Sequence, residues 1–289
     1  MNGKTKASPH LRSKINTSGI MLVVILALMP ATGFGIYNFG LNVLYLILVT
    51  VGTAVVTEYV TGLILKRAVT IDDYSAVVTG LLLALSLPPD TPLWLGAVGG
   101  MFAIVIVKML FGGLGQNIMN PAMAARSFLF ISFTPLLNYR NPALEGESPS
   151  LLDMLVKNTS GVIGETSMLA IILGAAFLII LGVIDLKIPG AYIISFFAFI
   201  VMFTGSFSPD YLASYLTGSL VFAAFFIATD YVTRPISARN QILYGILLGF
   251  LTAQFSLRGY GFEGIAFAVI IGNLIVPLLN KMGTGTRND

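Results

Sequence analysis

The chain has 289 residues, of which 56% are hydrophobic and only 10% are charged. Soluble domains carry about 25% charged residues, so this chain has too few polar side chains to cover a water-facing surface. Its mean hydropathy of +0.89 indicates that lipid surrounds most of it. The composition therefore predicts an integral membrane protein without a sizeable soluble domain.

Metal and nucleic-acid binding are not expected. The chain has no cysteine, and its single histidine is His10 in the polar N-terminal segment. These counts exclude a structural zinc site, a cysteine-ligated iron–sulfur cluster and a disulfide framework. The net charge of +3 comes from Lys and Arg beside apolar segments, which indicates membrane topology rather than nucleic-acid binding.

Ten apolar segments follow one another along the chain, separated by polar or Gly- and Pro-containing turns. They are predicted at 19–37, 41–65, 74–87, 93–111, 121–133, 161–184, 189–207, 211–228, 242–257 and 264–279. A full membrane span needs about 20 residues, so the third and fifth segments predict half-spanning or tilted helices. The eighth segment is also short enough to be a broken helix.

The placement of Lys and Arg predicts which loops are cytoplasmic. With the N-terminus inside, the cytoplasmic loops and tail hold Lys66, Arg67, Lys187, Arg234, Arg239, Lys281 and Arg287. The opposite side holds only Arg140, Lys157 and Arg258. Because positive charge concentrates on the cytoplasmic side, this bias predicts an even number of spans with both termini cytoplasmic.

The two halves of the chain show a weak internal sequence repeat. Thr79-Gly80 opens an apolar stretch that is followed by a Pro-containing turn, a Gly-rich span and an Asn-bearing span, and Thr217-Gly218 opens a similar series. Five spans per repeat is an odd number, so the repeats would be inverted. We predict an all-α integral membrane fold of about ten transmembrane helices in two inverted five-helix repeats, with some short or broken helices. The predicted parts are a cytoplasmic tail at 1–18, repeats at 19–135 and 159–280, an extracytoplasmic loop at 136–158 and a cytoplasmic tail at 281–289.

A glycine–asparagine stretch at 111–126, FGGLGQNIMNPAMAAR, is the leading candidate for a ligand site. Its glycines permit close backbone approach, while Asn120 and Pro121 are typical of a helix N-cap and first helical residue. Free N–H groups there suit an anionic or carbonyl-rich ligand, although a tight turn with a capped helix is the alternative. The predicted binding residues are Gly112, Gly113, Gly115, Asn117, Asn120, Ala122 and Arg126.

Three carboxylates in apolar surroundings, Glu58, Glu165 and Asp230, predict a cation or proton path. Glu165 at a helix N-terminus and Asp230 beside Arg234 have the alternative of an interfacial position. Lys108, at the end of the fourth segment, is expected to reach toward the membrane surface. No nucleophile–base constellation stands out, so we predict no catalytic residues within this chain.

Four segments carry a family resemblance: SPHLRSKINTSGIM at 8–21, FGGLGQNIMNPAMAARSFLFISF at 111–133, IGETSMLAIILGA at 163–175 and FFIATDYVTRPIS at 225–237. In these segments the chain resembles the D subunits of Rnf complexes, which are paralogous to the B subunit of the sodium-translocating NADH:quinone oxidoreductase. The resemblance covers nearly the whole chain. It implies ten helices in two inverted five-helix repeats.

The resemblance also implies a function. The expected protein is a membrane flavoprotein subunit of a ferredoxin:NAD oxidoreductase complex that couples electron transfer to Na+ or H+ translocation. Such a protein is not catalytically complete alone, and its partners would be the A, B, C, E and G subunits of the Rnf complex together with membrane lipid. The expected location is a bacterial or archaeal cytoplasmic membrane. The stretch from Gly112 to Ala122 matches the family's glycine–asparagine motif, which the resemblance places near a flavin, either FMN or riboflavin.

The loop after the fifth segment departs from the family pattern. The family carries Ser-Gly-Ala-Thr there, and its Thr holds FMN through a phosphoester. This chain has Glu145-Gly146-Glu147-Ser148 instead, with Ser148 at the place of the threonine. Because Glu145 and Glu147 would repel the FMN phosphate, we predict a non-covalent flavin in the membrane core rather than FMN on Ser148.

A different class of function stays open from composition and topology alone. An inverted-repeat fold also suits a passive channel or a secondary transporter for a small polar solute. NAD binding by this chain itself is not predicted, because no G-x-G-x-x-G sequence follows a strand and opens a helix.

Overall fold

A computed structural model describes residues 16–67, 70–137 and 161–284, and regular structure in these ranges is helical. The helices are α1 Thr17–Phe39, α2 Leu41–Ile64, α3 Ser75–Leu85, α4 Leu93–Met109, α5 Pro121–Phe133, α6 Met168–Ile180, α7 Lys187–Thr204, α8 Pro209–Tyr215, α9 Gly218–Ile227, α10 Ala238–Ser256 and α11 Phe262–Thr284. The last turns of α4 and α9, Ala103–Met109 and Ala223–Ile227, are π-helical. Single 3-10 turns lie at Ile71–Asp73, Thr134–Leu136 and Ile163–Glu165.

Within the described ranges, four helices are long and apolar enough to cross a bilayer: α1, α2, α7 and the Phe262–Lys281 part of α11. Their outward faces carry large apolar side chains such as Leu26, Leu48 and Ile194, which are 51%, 58% and 72% exposed. A water-soluble protein does not expose so many contiguous apolar side chains, since doing so is unfavourable in water. The fold is therefore that of a membrane protein, as the composition predicts.

Several helices are too short to span a bilayer alone. With a rise of about 1.5 Å per residue, the 11 residues of α3 cover roughly half of a 30 Å hydrocarbon core. The 13 residues of α5 reach only slightly further. The predicted shortness of the third and fifth segments is thus confirmed. Nearly every side chain of α3 and α9 is buried, so these short helices occupy the inside of the molecule.

The sixth predicted span is too long. It was expected over 161–184, but α6 covers only Met168–Ile180, because the Ser167 hydroxyl caps a helix that begins there. The eighth segment, predicted over 211–228 and short enough to be a broken helix, is divided into α8 and α9. The division falls at Thr217, whose hydroxyl accepts the N–H of Leu220 at 3.3 Å and starts a new helix.

Glycines at a four-residue spacing bring helices together in both halves of the chain. A methyl group at Gly245 or Gly249 of α10 would overlap the backbone or side chains of α7. One at Gly96 of α4 would overlap Leu46 and the hydroxyl of Thr50 on α2, and one at Gly100 would lie only 3.0 Å from the Thr50 carbonyl. Small residues at this spacing let helix backbones approach closely inside membranes, where apolar burial alone cannot drive association.

Contacts between the halves join particular helices. α1 packs along α6, with Gly174 so close to the carbonyl of Ala27 that a Cβ would not fit. α5 packs along α11, and the turn at Ile163–Glu165 lies against the end of α3, where Ile163 donates its N–H to the Leu87 carbonyl at 3.0 Å. The short helices α3 and α9 and the first turns of α5 are thereby enclosed by neighbouring helices.

Candidate functional site

A cavity that is open to the exterior lies where the starts of α1, α3 and α5 meet the ends of α4, α6 and α9. Its walls are mainly apolar, with Leu82, Leu178 and Phe226 among them. Its polar groups are Ser75, Thr79, Lys108, Asn117, Asn120, Thr229 and Asp230. Ligand pockets combine apolar walls with a few convergent polar groups, so this cavity is the candidate site.

Asn120 organises one wall of the cavity. Its side-chain Oδ1 accepts the N–H of Met123 at 3.1 Å, and Pro121 occupies the first helical position of α5. The N-cap predicted from the sequence is therefore confirmed. With its oxygen used in the cap, the Asn120 amide directs its Nδ2 to the Oδ2 of Asp230, 3.1 Å away.

Asp230 follows α9 and faces the start of α5. Besides the bond from Asn120, it accepts the Thr233 hydroxyl at 3.3 Å and the N–H of Val232 at 3.2 Å. These hydrogen bonds, and not an ion pair with Arg234, hold its side chain in the described parts of the chain. A carboxylate beside a helix N-terminus is stabilised by the partial positive charge there, so Asp230 and α5 support each other.

Asn273 of α11 extends this network into the interior, although sequence reasoning gave it no site role. Its Oδ1 accepts the backbone N–H of Asn120 at 3.0 Å, and its Nδ2 donates to the Tyr244 hydroxyl at 2.8 Å. A backbone N–H at the start of α5 is thus satisfied by a side chain from the other half of the chain. The sequence could have indicated this role, because Asn273 lies in the middle of an apolar segment and a buried amide rarely lacks a hydrogen-bond partner.

The loop between α4 and α5 has the positive φ angles that glycine residues permit. Gly112, Gly113 and Gly115 adopt φ angles of 125°, 99° and 87°, which side chains with a Cβ disfavour. The space where a Cβ of Gly113 or Gly115 would lie is open. Asn117 lines the cavity, and its Oδ1 is buried with no hydrogen-bond partner among the described residues. An unpaired buried amide oxygen is costly, so this position suits a ligand that donates a hydrogen bond.

Lys108 does not reach to the surface, so that expectation was wrong. Its side chain is 1% exposed, and its Nζ lies 2.6 Å from the Oε2 of Glu58 on α2. The same ammonium donates to the Ser75 hydroxyl at 2.5 Å. Lys108 turns inward because a buried carboxylate on the neighbouring helix compensates its charge, a pairing that sequence reasoning missed.

Glu165 is buried in the 3-10 turn that precedes α6. Its Oε1 accepts the N–H of Val162 at 2.7 Å, so it caps its own turn. The start of α9 packs directly on it, since a Cβ at Gly218 would overlap the Glu165 backbone. Glu165 thus lies between helices rather than on the protein exterior.

Arg126 is fully buried and contacts the ends of two other helices. Its Nε donates to the carbonyl of Ser86 at the end of α3, 2.9 Å away, and its NH2 pairs with Glu263 in the first turn of α11. The guanidinium also lies 6.0 Å from the ring of Phe130. A cation suits the carbonyl end of α3, and a carboxylate suits the start of α11. Sequence reasoning found Arg126 but missed Glu263.

The predicted site residues are therefore only partly gathered in one place. The cavity wall contains Asn117, Asn120, Ala122 and Asp230, and it reaches Glu58 through Lys108. Gly112, Gly113 and Gly115 form the adjoining loop, whereas Arg126 and Glu165 are engaged at helix ends. Ser148 lies outside the described residues. The binding and ion-path roles of these residues stay predictions.

The residues at the cavity fit a flavin. A flavin ring has broad apolar faces, which the walls formed by Leu82, Leu114 and Phe225 suit. Its polar edge carries N–H and C=O groups like those of an amide, and the unpaired Oδ1 of Asn117 would accept from such an edge. The open space at Gly113 and Gly115 would admit a bulky group beside the backbone.

Comparison with known proteins gives a consistent result over nearly the whole chain. Residues 4–287 match the family described as NQR2, RnfD, RnfE. The chain is 39% identical to the D subunit of the Na(+)-translocating ferredoxin:NAD(+) oxidoreductase complex of Acetobacterium woodii, over 97% of this chain and 93% of that protein. It is 37% identical to the D subunit of the proton-translocating ferredoxin:NAD(+) oxidoreductase complex of Clostridium ljungdahlii, over 95% and 92%.

An archaeal protein is also similar. The D subunit of the ion-translocating oxidoreductase complex of Methanosarcina acetivorans is 32% identical over 94% of this chain and 92% of its own length. Matches of this length leave no part of the described fold outside the shared region. This chain belongs to the NQR2, RnfD, RnfE family.

Proposed function

We propose that the chain is the membrane flavoprotein subunit of an ion-translocating ferredoxin:NAD oxidoreductase complex of the Rnf type. The observation that carries this proposal is the family match over residues 4–287, together with relatives named as the D subunits of such complexes. In this role the chain does not complete the reaction alone. The A, B, C, E and G subunits of the Rnf complex would deliver and remove electrons, and the chain would provide part of the membrane path.

The proposed cofactor is a flavin, FMN or riboflavin, held without a covalent bond in the cavity. Asn117, Asn120 and the backbone at Gly113 and Gly115 would hold it, and a bound flavin would supply electron transfer. The apolar walls exclude water, and the hydrogen bonds among Asn120, Asp230 and Asn273 fix the polar side of the cavity before any ligand binds. Such a preorganised wall limits the reorganisation that accompanies a change of charge.

The proposed cargo is Na+ or H+. Relatives of nearly equal identity are named for different ions, Na+ in Acetobacterium woodii and protons in Clostridium ljungdahlii, so overall similarity does not choose between them. Buried carboxylates are the residues most suited to either ion. Glu58 is 1% exposed and Asp230 lines the cavity, so these two are the proposed path residues near the site, with Glu165 further away.

The proposed membrane arrangement is ten spans in two inverted repeats of five, 19–135 and 159–280, with both termini in the cytoplasm. The equivalent spans would be α1 and α6, α2 and α7, α3 and α9, α4 and α10, and α5 and α11. In support, α4 packs on α2 through Gly96 and Gly100, as α10 packs on α7 through Gly245 and Gly249. Similarly, α1 contacts α6 and α5 contacts α11, which is the pattern of a two-fold axis between halves.

A flavin assay tests the proposal against a channel or a secondary transporter. The complex containing this chain is purified, and the visible absorbance and fluorescence of flavin are measured together with the mass of the intact chain. We expect flavin to be released from the native protein by denaturation, leaving the unmodified polypeptide mass, and Asn117→Leu to lower the flavin content. A matched variant, Asn42→Leu at the start of α2 and outside the cavity wall, should not. A chain that carries no flavin in the assembled complex would contradict the proposal.

A further inference from the structure

A hydrogen-bonded charge cluster joins α2, α4 and the turn before α3. The Glu58 carboxylate receives the Lys108 ammonium on Oε2 at 2.6 Å and the Thr70 hydroxyl on Oε1 at 2.5 Å. The ammonium also donates to the Ser75 hydroxyl, which in turn donates to the Oδ1 of Asp73. Each oxygen of Glu58 thus has a partner, and Lys108 is a cation held by oxygen atoms alone.

Among the described residues that these hydrogen bonds join, Glu58 and Asp73 are carboxylates and Lys108 is the cation. These side chains together carry one formal negative charge, and the guanidinium of Arg67 lies nearby, on the carbonyl of Met109. A buried ion pair of this kind contributes little net stability, because the desolvation of both charges offsets their attraction. Charged side chains inside a membrane protein instead commonly mark ion pathways. The buried carboxylate, Glu58, is therefore the one that depends on the ammonium for its counter-charge, whereas Asp73 is only partly buried.

Lys108 can be approached by a small cation from two sides, the cavity and the protein exterior. Lys108 and Ser75 line the cavity, so the ammonium borders the space that also contains Asp230. On the other side, Asp73 and Thr70 are only partly buried and connect the cluster to the protein exterior. A small cation that binds Oε2 of Glu58 would therefore take the place that the ammonium occupies.

The backbone around Lys108 is suited to a change of side-chain direction. Lys108 lies in the π-helical turn of α4, where Leu110 donates to the Val105 carbonyl and Gly113 donates to the Lys108 carbonyl. π-helical turns are rare and occur frequently at functional sites. Conversion of this turn to α-helix would rotate its residues by about 100°, the angle of one residue in an α-helix. The glycines that follow can absorb such a shift.

We propose that the Lys108 ammonium is an internal cation that occupies the ion position beside Glu58, and that Na+, as the translocated ion, competes with it for this carboxylate. The inference rests on the proposed ion translocation and assigns Lys108 a positioning role in it. While Lys108 is paired, Glu58 is closed to ions; when the ammonium leaves, Glu58 becomes a binding group. One carboxylate thus serves either the tethered or the diffusible cation, but not both together.

The test is an ion-dependent stability measurement on Lys108→Met in the purified, full-length protein. The midpoint of thermal unfolding in detergent is measured at constant pH and ionic strength while NaCl replaces choline chloride. We expect Na+ to raise the midpoint of Lys108→Met by roughly 5 °C at saturation, since the ion fills the vacated position. Wild type and Lys187→Met should show no such rise, because Lys187 pairs with Asp185 on the exterior, where both side chains are over 40% exposed.

A second variant controls for the possibility that Lys108→Met fails to fold. Lys108→Met leaves the cluster with two uncompensated carboxylates, whereas Lys108→Met/Asp73→Asn retains the formal charge of the wild-type cluster. The double variant should show the same Na+ dependence, and adding Glu58→Gln should abolish it. Equal midpoints in NaCl and choline chloride for the double variant would overturn the inference, as would an equal Na+ response in wild type. Electron transfer and flavin content do not enter this measurement, so its failure is distinct from failure of the proposed function.

Discussion

Arg126 shows how a single side chain can complete helices that end inside a membrane protein. The last carbonyls of α3 have no partners within their own helix, and water cannot reach them in a buried position. Arg126 donates to the Ser86 carbonyl, and Glu263 neutralises the guanidinium. The pair therefore joins α5 to the end of α3 and the start of α11, so its loss affects three helices at once.

We expect Arg126→Met to lower the free energy of unfolding by about 3–5 kcal/mol, because it leaves Glu263 buried without its counter-charge. Unfolding in mixed micelles with increasing SDS measures this change. Arg126→Met/Glu263→Leu should lose less than the two single variants added together, since neither charge then remains. Arg258→Met is the control, because Arg258 is exposed and bonds only to Gln254 in the described structure. Similar losses for Arg126→Met and Arg258→Met would refute the structural role.

At the scale of elements, glycine spacing determines which helices touch. Gly249 of α10 lies against Tyr192, Ser195 and Phe196 of α7 with no room for a methyl group. Gly52 of α2 is also in a helix but has nothing within 4 Å of its Cβ position. The two glycines therefore have the same backbone conformation and different neighbours, which makes them a matched pair.

Gly249→Ala should destabilise the protein by about 1–3 kcal/mol, because the added methyl group forces α10 away from α7. Gly52→Ala should be neutral or stabilising by about 0.5–1 kcal/mol, since alanine favours helix and meets no neighbour. The midpoint of SDS-induced unfolding measures both. The packing argument fails if Gly249→Ala is as stable as Gly52→Ala.

Local sequence patterns predicted most of the helices, but they could not predict contacts between residues that are distant in the sequence. Asn120-Pro121 and the apolar runs located α5 and the long helices because capping and hydrophobicity act within a few residues. The extent of the sixth segment was wrong because apolar residues lie on both sides of α6, before the cap at Ser167 and after Ile180. The division of the eighth segment at Thr217 agrees with the broken helix that its shortness predicted. The partner of Lys108 is 50 residues away in the sequence, so no local pattern indicated that the ammonium points inward.

At the scale of the whole molecule, the cavity bears on the membrane topology. It gathers the starts of α1, α3 and α5 and the ends of α4, α6 and α9. In a chain whose spans alternate in direction, the starts of odd spans and the ends of even spans lie on one side. With α8 and α9 counted together as the eighth span, the gathered ends all belong to the side predicted to be cytoplasmic. In the proposed arrangement, the short helices therefore reverse the chain direction as full spans do.

Single cysteines can test this topology directly, because the chain has none of its own. Lys66→Cys and Ile236→Cys lie in predicted cytoplasmic loops, and Asp90→Cys and Arg258→Cys lie in loops predicted on the opposite side; all four positions are exposed. In intact cells, or in spheroplasts where an outer membrane is present, a membrane-impermeant maleimide should label Asp90→Cys and Arg258→Cys. Lys66→Cys and Ile236→Cys should react only after the membrane is permeabilised. Labelling of Asp90→Cys and Ile236→Cys from the same side would show that the two halves are not inverted, since those positions then could not belong to alternating spans.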